Sequence, residues 1–84
     1  MVIITGKELI ELLVLDGWNT GGHRTHGVFL FKQFPNEPYP RTTVIPDKRD
    51  DLPAGTLGAI LGVKQTRLGA SGLQRLIKKR RRKS

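Results

Sequence analysis

No cysteine occurs in the sequence, which excludes disulfide cross-links, a thiol nucleophile and thiolate metal sites, and leaves stability to packing. Long apolar runs are also missing: none reaches the length of a membrane span, and Met1 to Ile4 is too short for the core of a secretory signal. A soluble, cytoplasmic chain without membrane contact is expected. Acidic residues are few, seven against fifteen Lys and Arg, giving a formal charge of +8. Such a balance favours polyanionic partners, but the charge is unevenly spread. Residues Lys78 to Lys83 read KKRRRK, and removing these six charges from +8 leaves a body of only +2. Sequence-independent attraction to polyphosphate belongs to this run, and any specific contacts belong to the body.

Histidine occurs only twice, as His23 and His26. Neither stands in a convincing metal-ligand pattern, and no serine sits in a nucleophile motif, so metal and acyl-transfer chemistry are disfavoured. No metal and no small-molecule cofactor is expected. With 84 residues there is room for one modest core, which predicts a single domain over 1–77 and a basic C-terminal tail over 78–84.

The local signals begin with Thr5-Gly6-Lys7-Glu8, which has the spacing of a capping box, flanked by Ile4 and Leu9 as a hydrophobic staple. Leu9, Leu12 and Leu13 continue at helical spacing, predicting an amphipathic helix to about Leu15 that Asp16-Gly17 stops. Trp18 to Gly21 reads as a first strand, Gly21 to Arg24 as a turn, and Thr25 to Gln33 as a second strand. Both faces of that second strand are apolar, with Val28 and Leu30 on one and Phe29 and Phe31 on the other. A small sheet covered on one side should show a polar outer face, so the second apolar face suits a partner. Prolines 35, 38 and 40 make Phe34 to Pro40 a loop, Arg41 to Ile45 a third strand, and Pro46 its end. Pro53 opens a short helix carrying Leu57, Ile60 and Leu61, and Ser71 is the expected cap of a short last helix with Leu73, Leu76 and Ile77. The expected fold is α+β: an α-β-β-β-α order with a three-stranded antiparallel sheet, helices on one face and a short C-terminal helix. This is the outline of the double-stranded-RNA-binding-domain-like fold, and other small α+β folds share the order.

Three elements in order carry a closer likeness. They are an amphipathic helix ending in Asp16-Gly17-Trp18, the segment Thr25-His26-Gly27-Val28-Phe29, and Pro46 followed by Leu52-Pro53-Ala54-Gly55-Thr56-Leu57-Gly58-Ala59-Ile60-Leu61. Together they resemble the HicA family of type II toxins, over roughly Thr5 to Ile77. The resemblance implies the double-stranded-RNA-binding-domain-like fold, activity as an mRNA interferase on single-stranded RNA or mRNA, and neutralisation by a HicB-like antitoxin protein. It also implies that His26 is the catalytic residue. Where the family places glycine and serine before that histidine, this chain has Arg24 and Thr25.

The chemistry can be stated independently of the family. Metal-free RNA cleavage uses the ribose 2′-OH as nucleophile, so the enzyme must remove that proton, protonate the leaving 5′-oxygen and stabilise charge on the phosphate. His26 serves one proton transfer. Arg24 and Lys32 are candidate phosphate contacts, Lys32 because even spacing on one strand would give it the face of His26. His23, in a glycine-rich setting, is the weaker candidate for the second transfer. Trp18, Phe29 and Phe31 are expected to pack rather than stack on bases. Two rival functions stay open: a non-catalytic RNA-binding module of the same fold, and a protein-interaction or regulatory domain.

Overall fold

The computed structural model describes residues 3–83, with side chains described for 3–80. Parts of two expected segments, Met1 and Val2 at one end and Ser84 at the other, lie outside the described residues. Helix α1 (Gly6–Leu15) starts as its sequence dictates. The Glu8 amide donates to Thr5 Oγ1 at 3.1 Å, and the Thr5 amide donates to Glu8 Oε1 at 3.1 Å, an arrangement worth about 1 kcal/mol. Ile4, Leu9, Leu12 and Leu13 are buried, while Val14 and Leu15 remain exposed. Gly17, with φ 97°, ends the helix.

Strands β1 (Asn19–Arg24), β2 (Gly27–Lys32) and β3 (Arg41–Ile45) form an open antiparallel sheet in the order β1-β2-β3. The first hairpin differs from expectation. Gly21 and Gly22 do not turn the chain; they lie within β1, where Thr20 pairs with Leu30 but His23 pairs with Val28. Three steps along β1 thus match two along β2, a bulge that Gly22 accommodates at φ 95°. The turn falls instead on Thr25-His26, between paired Arg24 and Gly27. His26 therefore stands at the hairpin tip rather than inside the second strand.

Helix α2 (Ala54–Leu61) follows Pro53, and helix α3 (Gly69–Lys83) completes the chain. Val28, Leu30, Thr43 and Ile45 turn the inner face of the sheet toward the helices. Leu9, Leu12 and Leu13 of α1, Leu57, Ile60 and Leu61 of α2, and Leu73 and Leu76 of α3 join them in one core. Two corrections concern α3. Ser71 does not cap it; the helix begins at Gly69, after Thr66 Oγ1 accepts from the Leu68 amide at 3.3 Å and donates to the Ile60 carbonyl at 2.8 Å. Nor is it short: its 15 residues take in the basic run. Lys and Arg are good helix formers and are favoured at a helix C-terminus, and here Arg80 lies 3.3 Å from Glu11 and Lys79 lies 3.9 Å from Asp16, tying the run to α1. Among the described residues, no helix is long and apolar enough to cross a membrane.

Trp18 is core, as expected, meeting the edge of Phe34 at 6.3 Å between ring centroids. Phe29 and Phe31 are not core: they are half-buried on the outer face, 5.9 Å apart. The proline loop is anchored rather than loose. Arg41 donates from Nε to Glu37 Oε1 at 3.0 Å and from Nη1 to the Thr66 carbonyl at 3.0 Å, and its guanidinium lies 3.8 Å from the Phe34 ring centroid.

Candidate active site

Antiparallel pairing of β2 and β3 sets the end of β3 beside the start of β2, so Pro46 and Asp47 arrive at the tip of the first hairpin. The N-terminus of α1 closes on the same segment. Gly6 sits so near the Pro46 carbonyl that any Cβ would overlap it, and the Lys7 amide donates to the Lys48 carbonyl at 3.1 Å. Gly27 makes the equivalent approach from the hairpin. Its φ of 144° suits glycine, and a Cβ there would overlap the Ile45 carbonyl. These two contacts bring Lys7, His23, His26 and Asp47 to one pole of the molecule.

His26 is exposed in the turn, and among the described residues no side chain hydrogen-bonds its imidazole. His23 projects from the end of β1 with its side chain 80% exposed, and its Nε2 lies 3.4 Å from Asp47 Oδ2. Lys7 Nζ donates to Asp47 Oδ1 at 2.9 Å. This hydrogen bond from Lys7, reinforced by the nearby His23, holds the Asp47 carboxyl below its ordinary range against the opposing effect of partial burial. The two histidines are three residues apart across a tight turn, both at the solvent edge.

Arg24 pairs with Gly27 at the base of the turn, and its guanidinium lies over the Phe29 ring, 5.1 Å from the centroid. Among the described residues no carboxylate pairs with it, so its donors face solvent beside the hairpin tip. Lys32 is placed elsewhere. It ends β2, some 20 Å from the tip at the usual rise per strand residue, donates to the Asp16 carbonyl at 2.7 Å and lies 3.6 Å from Asp16 Oδ2. The expected sharing of a face by His26 and Lys32 does not occur: His26 precedes the strand, and Lys32 joins β2 to the end of α1.

Asp47 and Lys7 are the members of this cluster that the sequence reading did not single out. Asp47 had a signal, since it follows the proline that ends a strand antiparallel to the one His26 precedes. Among the described residues, no group of three or more His, Cys, Asp or Glu is gathered as metal ligands. No protein-family model, no curated protein and no solved structure matches this chain.

Proposed function

We propose that the chain is a HicA-like endoribonuclease toxin that cleaves single-stranded RNA by acid-base chemistry at the hairpin tip, and that a HicB-like antitoxin neutralises it. The supporting observation is the exposed His26 imidazole set three residues from a second imidazole that faces Asp47. In the proposed reaction one imidazole takes the proton of the ribose 2′-OH, whose oxygen bonds to the adjacent phosphorus. The P–O5′ bond breaks, and the other imidazole, protonated, gives its proton to the departing 5′-oxygen. The products are a 2′,3′-cyclic phosphate and a 5′-hydroxyl. His26 carries one transfer and His23 the other, with Asp47 orienting the His23 ring. Arg24 is the cation within reach of the phosphate; Lys32 acts on the fold rather than the substrate. The ribose supplies the nucleophile, so the reaction needs no metal and spares DNA.

The outer sheet face suits the antitoxin. Phe29 and Phe31 lie together there, half-buried, with Val44 paired beside Phe29. A non-catalytic RNA-binding reading draws on the basic run of α3 and separates cleanly from the first. Purified protein is incubated with single-stranded RNA in the presence of chelator, and wild type is compared with His26→Ala. Loss of a general acid or base should slow cleavage about 10²–10⁴-fold. Binding without cleavage by wild type would favour the rival, and equal cleavage by both proteins would remove His26 from the mechanism.

A further inference from the structure

We propose that the basic end of α3, Lys78 to Lys83, is an anchor for the phosphate backbone of single-stranded RNA, set apart from the cleavage site. The choice of RNA rests on the proposed activity. The anchoring itself rests on how the run is built.

Six consecutive cations would ordinarily favour a solvated coil, because on a helix like charges three and four residues apart become neighbours. Here they continue a 15-residue helix whose Leu73 and Leu76 are buried in the core. The run therefore rides on a rigid element. Glu11 and Asp16 of α1 hold Arg80 and Lys79, which sets the orientation of the run where it leaves the core. Lys78 is exposed, and among the described residues no carboxylate pairs with it. A helix that keeps this density of like charge is a preformed surface for a polyanion, whose binding relieves the repulsion and releases counterions.

Placement decides what kind of polyanion fits. The run lies at the Glu11-Asp16 end of α1, where Lys32 also contacts Asp16, whereas His23, Asp47 and Lys7 mark the opposite pole. One β2 length, about 20 Å, separates the poles. A single phosphate cannot span that gap, but a strand of several nucleotides can. Long RNA would be held at one pole and cut at the other, while a very short substrate would reach the histidines without using the anchor.

The test uses the full chain carrying Lys78→Gln, Arg81→Gln and Arg82→Gln together, which keeps Lys79 and Arg80 for α1 and replaces cations with another good helix former. Helix content by circular dichroism checks that the fold survives. Affinity for an unstructured RNA of about twenty nucleotides is measured against salt in a His26→Ala background; removing three phosphate contacts should lower the slope of log affinity on log salt by about 2, so that the ratio of affinities at 50 and 200 mM salt falls roughly 20-fold. Cleavage of a trinucleotide with His26 restored should be unchanged. An unaltered slope on the long RNA overturns the anchor, as does tight binding of the wild-type chain to phosphatidylserine vesicles that RNA fails to displace. If the wild-type chain cuts neither substrate, the cleavage reading fails, and the salt slope still decides the anchor.

Discussion

An imidazole in a two-residue turn has few neighbours to orient it, so the position of His26 depends on the backbone that follows. Gly27 is fixed by its close approach to the Ile45 carbonyl and by a φ of 144° that other residues rarely adopt. Gly27→Ala should therefore destabilise the fold by about 1–3 kcal/mol through backbone strain, read as a lower denaturant midpoint, and should reduce cleavage beyond what the unfolded fraction explains. His23 is held differently, through Asp47. His23→Ala should slow RNA cleavage about 10²-fold or more and remove one limb of the pH-rate profile. Asp47→Asn should cost less in rate, because the ring remains and only its orientation is lost. A profile of kcat/KM against pH for the two variants separates these effects; an intact limb in His23→Ala would assign the second proton transfer elsewhere.

Among the elements, the proline loop shows how one ion pair, Arg41 with Glu37, anchors a turn of irregular chain. Glu37 accepts from Arg41, which also reaches the Thr66 carbonyl, so the clasp joins the loop to β3 and to the segment before α3. The hydrogen bond from Arg41, with the charges of Arg41 and Arg67 behind it, holds the Glu37 carboxyl below its ordinary range despite the opposing pull of partial burial. A depressed folded-state pKa contributes stability that is full above the unfolded value, about 4.3 for Glu, and is lost as pH falls through the folded value. Thermal midpoints should thus hold steady from pH 7 to about 5 and fall below about 4. Glu37→Gln should melt lower at pH 7 and show a shallower acid limb, with Asp47 supplying part of what remains.

The elements also differ in how openly the sequence displayed them. The start of α1 was legible because a capping box is local, complete within Thr5 to Glu8. The turn of the first hairpin was not, because Gly21-Gly22 suits a turn and a bulge alike, and only register with β2 decides between them. The start of α3 was hidden for a similar reason: the Thr66 hydroxyl braces the segment before it, bonding the Leu68 amide and the Ile60 carbonyl, whereas Ser71 merely has the composition of a cap. In the site, the resemblance to the HicA family nominated His26, and Arg24 followed from its place beside it in the sequence. Asp47 required the pairing of β2 with β3, and the separation of Lys32 required knowing that His26 lies outside the strand.

At the scale of the whole molecule, the basic run and the proposed cleavage site occupy opposite poles. The basic end of α3 is set against the end of α1, while the first hairpin carries His26 in its turn and His23 beside Asp47. Substrate length should therefore matter in a particular way: neutralising the anchor weakens long RNA and spares a trinucleotide, whereas losing His26 suppresses cleavage of both. The ends of the cleaved RNA test the proposed chemistry most directly. Single-stranded RNA is digested in the presence of chelator by wild type and by His26→Ala, and the fragments are weighed by mass spectrometry. The expected result is a 2′,3′-cyclic phosphate on the upstream fragment and a 5′-hydroxyl on the downstream one, both nearly absent with His26→Ala. A 5′-phosphate on the downstream fragment, or the same yield from both proteins, would contradict acid-base cleavage by His26.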